Sequence, residues 1–193
     1  MVNDLTIAII AGGKSRRLGQ DKAMIQFRGR SLLEHAINIA QTLVPTALII
    51  VGQESNYRSN EVTYIQDIIR NYGPIGGVYT ALQKVTTRFI ATLPCDIPLL
   101  PVKVYEILLQ FKNDDHPVVA RSHTGLEPLI ALWPQTALGE IERAIQQQNF
   151  TLYRLLARLG AIEVNFTKTA TDYQWEWFFN VNSLADLHKL EQL

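Results

Sequence analysis

Short runs of Ile, Val and Leu alternate with segments of helical periodicity along the first half of the chain. Each run has the length of a buried strand, and each intervening segment repeats its apolar residues every three or four positions. The runs predict strands over residues 5–11, 46–52, 62–65 and 88–93, and the segments predict helices over 31–43, 76–84 and 101–111. This alternation predicts right-handed βαβ units and a three-layer α/β fold, a mostly parallel sheet with helices on both faces.

The second half is less regular and predicts a small antiparallel addition at one edge of the sheet. We expect strands over 118–121, 129–132 and 161–166, helices near 136–147 and 151–159, and a last helix that follows Ser183. Ser31 with Glu34 three residues later forms a capping-box pattern, and Ser183 is a suitable N-cap.

Composition limits both the number of domains and the class of ligand. Of the 193 residues, 47% are hydrophobic and 19% are charged, which predicts a single globular domain over residues 1–193. The formal net charge is zero, which argues against a nucleic-acid binder. Six of the 18 basic residues nevertheless lie between Lys14 and Arg30, where Asp21 is the single acid. This cluster suits a small polyanion.

The single cysteine and the lengths of the apolar runs indicate a compartment. Cys95 has no partner for an internal disulfide, as is usual in a reducing environment, and we interpret it as a packing residue. The first apolar run is too short for a signal peptide, and no other run approaches the length of a membrane span. We therefore expect a cytoplasmic protein with no membrane partner.

Two candidate motifs, Gly12-Gly13 and Asp96, follow predicted strands, where ligands bind in parallel sheets. Gly13-Lys14-Ser15 resembles the end of a P-loop, but that motif would need glycine at position 8, which is Ala8 within the strand. Paired glycines let the backbone approach an anion, and Arg17 and Lys22 add charge suited to a triphosphate. The alternative is a βα turn with a solvated basic face.

The stretch from Ile10 to Lys22 resembles the signature L-A-G-G-x-S-x-R-M-G-x-D-K of the molybdenum cofactor guanylyltransferases, with Ile10 for Leu and Leu18 for Met. Related cytidylyltransferases usually carry A-A-G where this chain has Ala11-Gly12-Gly13. Further landmarks follow in the family's order, and the resemblance runs from about residue 5 to residue 190. These are Asp67, Gly73-Pro74-Ile75-Gly76-Gly77 (G-P-L-x-G), Pro94-Cys95-Asp96-Ile97-Pro98 (P-C-D-x-P) and Phe179-Asn180-Val181-Asn182 (F-x-N-x-N).

The resemblance implies a Rossmann-like nucleotidyltransferase that moves GMP from GTP to the phosphate of molybdopterin, with or without molybdenum, and depends on Mg²⁺. It implies a nucleotide half over about 1–100 and a pterin half over about 101–193, and it allows contacts with other proteins of molybdenum cofactor biosynthesis. The alternatives are a cytidylyltransferase or other transferase of this fold, and a non-catalytic nucleotide-binding relative. The implied catalytic residues are Arg17, Lys22 and Asp96; the implied binding residues are Ile10, Ala11, Gly12, Gly13, Lys22, Asp67, Gly76, Asp96, Asn180 and Asn182.

Each implied role has a physical basis and an ordinary structural alternative. Asp96 suits Mg²⁺, which takes one or two carboxylates with water and phosphate oxygens, but an Asp here could instead cap a turn. Asp67 suits the N–H donors of guanine and has the same alternative. Asn180 and Asn182 alternate on an extended segment and are expected to face one side. Lys22 is expected to be exposed and to face the phosphates.

Two further features complete the sequence picture. The family often places an asparagine after the second strand, whereas this chain has Val51-Gly52-Gln53, so that contact is absent or made by Gln53. Trp175 and Trp177 could stack on a pterin, but this spacing more often belongs to the edge of a core. No histidine shares a motif, and an acceptor phosphate that is already ionised needs no general base.

Overall fold

The computed structural model describes residues 4–11, 21–43, 47–52, 62–69, 72–148 and 151–192. Those residues include a seven-stranded sheet and a separate two-stranded hairpin. The large sheet contains β1 (Leu5–Ile10), β4 (Ala47–Gly52), β5 (Thr63–Gln66), β6 (Phe89–Pro94), β7 (Val118–Arg121), β8 (Leu126–Pro134) and β9 (Ile162–Asn165). The hairpin pairs β2 (Gln26–Phe27) with β3 (Arg30–Ser31).

The large sheet has the strand order β5-β4-β1-β6-β8-β7-β9. Strands β5, β4, β1 and β6 are mutually parallel, and β9 is parallel to β7. Strand β8 is antiparallel to both β6 and β7. The antiparallel strand therefore lies inside the sheet, whereas the sequence led us to expect it at an edge. A short turn joins β7 to β8, which forces the reversal, while the longer connection that carries two helices lets β9 return parallel to β7.

Helices cover both faces of the sheet. Ile7 and Ile9 of β1 pack into one apolar cluster, and Ala8 and Ile10 pack into another on the opposite face, because successive strand residues point to opposite sides. The three-layer α/β architecture is confirmed. The helices are α1 (Leu32–Thr42), α2 (Pro74–Lys84), α3 (Lys103–Gln110), α4 (Leu138–Gln146), α5 (Leu152–Arg158), α6 (Phe166–Thr169) and α7 (Leu184–Glu191).

Capping residues fix the helix starts. Ser31 Oγ accepts from the Glu34 N–H at 3.2 Å, and the Glu34 carboxylate accepts from the Ser31 N–H at 2.6 Å, so the capping box is present. Helix α2 begins at Pro74, two residues before the predicted start, because Gly73 adopts a φ of 64° and proline suits the first helical position. Among the described residues, no helix is both long and apolar enough to cross a membrane.

Candidate active site

The carboxyl ends of the parallel strands bring several predicted site residues to one edge of the sheet. Ala11 follows β1, Asp67 follows β5 and Asp96 lies just beyond β6. The start of α2 lies at the same edge, beside Asp96, since Pro74 and Asp96 line one cleft. Because the carboxyl ends of parallel strands meet at one edge of the sheet, these residues lie close enough to share one site, as the sequence predicted.

Lys22 lies at the centre of this edge, in a short 3-10 turn formed by Lys22–Met24. Its ammonium donates to Asp96 Oδ2 at 2.6 Å, to Asn182 Oδ1 at 2.8 Å and to Asn180 Oδ1 at 3.3 Å. Three acceptors match the three N–H groups of an ammonium. We call Lys22, Asp96, Asn180 and Asn182 the lysine cage. As predicted, the two asparagines face one side.

The exposure expected for Lys22 was wrong. The side chains of Lys22 and Asp96 are only 15% and 20% exposed, so both are largely withdrawn from water. A lysine that leaves water needs acceptors for its three donors, and the nearest are the cage oxygens. The sequence placed Lys22 and Asp96 at the same site but gave no reason to expect an ion pair between them.

Backbone contacts hold the cage in place. The Val181 N–H donates to the Asp96 carbonyl at 2.8 Å, which fixes the Asn180–Asn182 segment against the end of β6. Ser183 then caps α7 by accepting from the Asp186 N–H at 3.2 Å, as the sequence predicted. The cage therefore joins segments that are more than 150 residues apart along the chain.

The oxygens of the cage suit a divalent cation. Asp96 Oδ1 is buried, and no described residue donates to it. Asp96, Asn180 and Asn182 already converge on one positive charge, the Lys22 ammonium, which stands where a cation would bind. Across the described ranges no three His, Cys, Asp or Glu side chains come together as a metal cluster. One carboxylate with amide oxygens fits Mg²⁺, which completes its shell with water and phosphate.

Cys95, next to Asp96, is a packing residue. Its side chain is buried, and burial together with the adjacent Asp96 charge raises the pKa of the Cys95 thiol to about 12. A thiol in this state is not a nucleophile near neutral pH. This confirms the interpretation of Cys95 as a packing residue.

Asp67 lies at the far side of the same edge. Its backbone N–H donates to the Gly52 carbonyl at 2.9 Å, which fixes the residue beside β4. Its Oδ1 is buried with no donor among the described residues. Burial also raises the pKa of the Asp67 carboxyl. A half-buried carboxylate that lacks a donor is suited to a ligand with N–H groups.

The glycines at the start of α2 allow close packing. A Cβ at Gly76 would lie 3.1 Å from the Ile69 carbonyl oxygen, and a Cβ at Gly77 would lie 3.2 Å from Ile10 Cγ2. The predicted ligand contact of Gly76 stays a prediction, but its packing role is visible. Four other predicted residues, Gly12, Gly13, Arg17 and Gln53, lie outside the described residues.

A cleft of ≈ 320 Å³ opens beside the cage. Asp96 and Asn180 line it together with residues of β8 and α5 that no sequence motif indicated. These residues are Glu127, Pro128, Leu129, Ile130, Leu152 and Tyr153. The sequence pattern predicted a strand over 129–132 and a helix near 151–159 here, but neither pattern indicated a ligand site.

His35, His116, Trp175 and Trp177 fill structural roles. The ring nitrogens of His35 and His116 contact the backbone carbonyls of Phe27 and Leu159, at 2.9 and 2.8 Å. Trp177 is buried, and Trp175 packs edge-on against Phe179. The tryptophans thus belong to the edge of a core, as their spacing suggested.

A model of the MobA-like NTP transferase domain matches residues 7–162, most of the chain. The chain belongs to the MobA-like NTP transferase family. The resemblance inferred from the signature motifs is confirmed.

Relatives of this MobA-like chain match nearly its full length. A chain from Carboxydothermus hydrogenoformans, named "Probable molybdenum cofactor guanylyltransferase", is 28% identical and covers 98% of this chain and 96% of its own. One of the same name from Flavobacterium johnsoniae is 30% identical over 96% of both chains. The crystal structure of molybdopterin-guanine dinucleotide biosynthesis protein A from Archaeoglobus fulgidus is 25% identical, with a TM-score of 0.80 over 97% of both chains.

Proposed function

We propose that this MobA-like chain transfers GMP from GTP to the phosphate of molybdopterin, giving molybdopterin guanine dinucleotide and pyrophosphate. The observation that carries the proposal is the lysine cage, in which one carboxylate and one ammonium meet at the end of a central strand. The names of the relatives support the choice of GTP and molybdopterin. An oxygen of the acceptor phosphate forms a bond to the α-phosphorus, and the bond from that phosphorus to the bridging oxygen of pyrophosphate breaks.

Charge neutralisation is the main task of the site, since two anions must approach each other. Asp96 with Asn180 and Asn182 would hold Mg²⁺, which would neutralise phosphate charge when it is bound. The ammonium of Lys22 leaves Asp96 and donates to the triphosphate instead, and Arg17 adds a second positive charge. The ionised acceptor phosphate attacks without a general base, so no histidine is required.

Asp67 would select the base. Its carboxylate accepts from the N1–H and 2-amino groups of guanine, while the backbone of Ile10, Ala11 and Gly12 lines the base. Gly13 would approach the phosphates and Gly76 the ribose side, so residues 1–100 bind the nucleotide and residues 101–193 bind the pterin. The buried, unpaired Cys95 suits the reducing cytoplasm, which we propose as the compartment.

Pyrophosphate release with four nucleotides tests the proposal. The protein is incubated with Mg²⁺ and molybdopterin and with GTP, CTP, ATP or UTP at equal concentration. We expect release with GTP to exceed release with CTP by roughly a hundredfold or more, because a site built to pair a base edge rejects bases that leave its polar groups unpaired. Equal rates with CTP would leave a transferase of different specificity. Binding of GTP without release would indicate a non-catalytic relative.

A further inference from the structure

Strand β8 contains a large irregularity beside the cleft. Val119 of β7 pairs with Ala131, but the next residue, Ala120, pairs with Glu127. Strand β8 therefore has three extra residues, 128–130, between the two positions that pair with consecutive residues of β7. All three line the cleft. Bulges of this kind are common next to active sites, where they redirect side chains.

Glu127, at the base of the bulge, is held by one carboxylate oxygen. Ser122 Oγ donates to Glu127 Oε1 at 2.6 Å, and Thr124 Oγ1 donates to the same oxygen at 3.2 Å. The turn that supplies these hydroxyls is itself closed by the Ser122 N–H, which donates to the Gly125 carbonyl at 2.8 Å. Within the described residues nothing donates to Glu127 Oε2. Hydrogen bonds to Oε1 fix the carboxylate in place, and Glu127 lines the cleft.

Tyr153 forms the rim of the same cleft. It lies on α5 and is 55% exposed, although its hydroxyl donates to the Leu126 carbonyl at 3.2 Å. Tethering the hydroxyl holds an aromatic ring at the surface, where its face can receive another flat ring. Pro128, Leu129 and Leu152 supply apolar wall in the same cleft.

We propose that Glu127 and Tyr153 form the subsite for the ring of the acceptor, a fused 2-amino-4-oxopyrimidine. The inference rests on the proposed function and names the residues that recognise its second substrate. A carboxylate in a site for two phosphorylated substrates repels their phosphates, so it must face a part of the ligand that is rich in N–H donors. The 2-amino and N3–H groups of a pterin are such a part. Oε2 accepts from them while Tyr153 stacks on the ring.

The layout of the sheet favours the acceptor over guanine as the occupant. Asp67 follows β5, and Glu127 lies on β8, four strand positions away, or about 19 Å at the usual spacing between strands. Asp96, beyond β6, lies between them. The product would contain two 2-aminopyrimidinone rings joined through phosphates. Two carboxylates on either side of the cage provide one acceptor for each ring.

Fluorescence titration with 6-hydroxymethylpterin and 6-hydroxymethyllumazine tests the subsite. The lumazine carries an oxygen in place of the 2-amino group, so it presents an acceptor to Glu127. We expect the wild type to bind the pterin about tenfold to a hundredfold more tightly than the lumazine, because hydrogen bonds to a charged group are the stronger class. A wild type that binds both equally would overturn the proposal.

The Glu127→Gln variant isolates the carboxylate. Its carbonyl oxygen still accepts from Ser122 and Thr124, which places the amide N–H₂ against the donors of the pterin. We expect the preference for pterin over lumazine to vanish while the melting temperature and the Kd for GTP stay unchanged. The matched control is Glu106→Gln on α3, an exposed residue that should keep the preference. Retained preference in Glu127→Gln, or loss of GTP affinity instead, would overturn the assignment.

Tyr153 is tested separately by Tyr153→Phe and Tyr153→Leu. The phenylalanine keeps the ring but loses the tether to Leu126, so it should bind the pterin more weakly than the wild type and still quench pterin fluorescence, whereas the leucine should lose both. Wild-type pterin binding by Tyr153→Leu would remove Tyr153 from the subsite. Failure of the transfer reaction leaves these binding results in place, so the subsite and the proposed function are tested independently.

Discussion

The environment of Lys22 is the most informative feature of the site. Its ammonium is held by three oxygens and is largely withdrawn from water, although the sequence motif suggested a free phosphate ligand. Sequence motifs identify which residues share a site, because the motifs lie where strands end and those strand ends meet at one edge of the sheet. They do not identify which site residues contact each other before a ligand binds, since that depends on side-chain packing.

Replacing Lys22 should weaken nucleotide binding. Lys22→Met removes a charge-assisted contact to the triphosphate, worth about 1.5–3 kcal/mol, so the Kd for GTP should rise roughly tenfold to a hundredfold by calorimetry. Lys103→Met is the control, because Lys103 forms a surface ion pair with Asp172 away from the cleft residues. An unchanged Kd in Lys22→Met would exclude the phosphate role.

The same variant should bind a divalent cation more tightly when no nucleotide is present. In the wild type the Lys22 ammonium occupies the oxygens that a cation needs, and like charges repel at this distance. Mn²⁺ binding, followed by electron paramagnetic resonance, should therefore tighten in Lys22→Met and stay unchanged in Lys103→Met. Weaker Mn²⁺ binding in Lys22→Met would show that the cage is not the cation site.

Replacing Asp67 should have opposite effects on the stability of the protein and on its binding of GTP. Burial raises its pKa, so ionisation costs more in the folded protein than in the unfolded chain, and the group lowers stability as pH rises from its usual pKa through its raised pKa. Asp67→Asn removes this cost. We expect the melting temperature of Asp67→Asn at neutral pH to stay level or rise, and its affinity for GTP to fall. In the wild type, protonation of Asp67 should weaken GTP binding at acidic pH, and this pH dependence should disappear in Asp67→Asn. A lower melting temperature with normal GTP affinity would instead identify Asp67 as a turn cap.

At the scale of elements, the hydrophobic pattern predicted the buried strands because β1 and β6 are apolar on both faces. Capping residues predicted the starts of α1 and α7. The β2–β3 hairpin was missed because strands of two residues are too short to show periodicity. The bulge in β8 was missed because register depends on the partner strand. Glu127 lies beside that bulge and Tyr153 faces it from α5, so the acceptor side was the least predictable part.

The packing of α2 against the strand ends gives a prediction for its glycines. In Gly76→Ala the new Cβ would lie 3.1 Å from a backbone oxygen, which cannot move as a flexible side chain does. We expect a loss of about 1–3 kcal/mol in the free energy of unfolding by urea denaturation. Gly139→Ala in α4, where a Cβ meets no atom within 4 Å, should instead gain up to about 1 kcal/mol. Equal effects of the two substitutions would contradict the close approach of α2.

At the scale of the whole molecule, the sheet orders the chemistry. Asp67, the lysine cage and Glu127 lie along one edge in the order of the strands that carry them. That order matches a substrate pair with a ring at each end and phosphates between. The three-layer fold was predictable from the alternation of strands and helices, whereas the position of β8 inside the sheet was not, because it depends on the turn that follows β7.

If Asp96 anchors the cation that permits transfer, turnover at low Mg²⁺ depends on its carboxylate. Pyrophosphate release from GTP and molybdopterin is measured over a range of Mg²⁺ for the wild type, Asp96→Asn and the surface control Asp172→Asn. Asp96→Asn removes one largely buried ion pair while Asn180 and Asn182 still hold Lys22, so we expect its stability to fall by about 1.5–3 kcal/mol and its melting temperature to fall accordingly. Its turnover at low Mg²⁺ should fall at least a hundredfold and recover in part at high Mg²⁺, because mass action offsets weakened affinity. Near-wild-type turnover of Asp96→Asn at low Mg²⁺ would exclude Asp96 as the anchor of the cation.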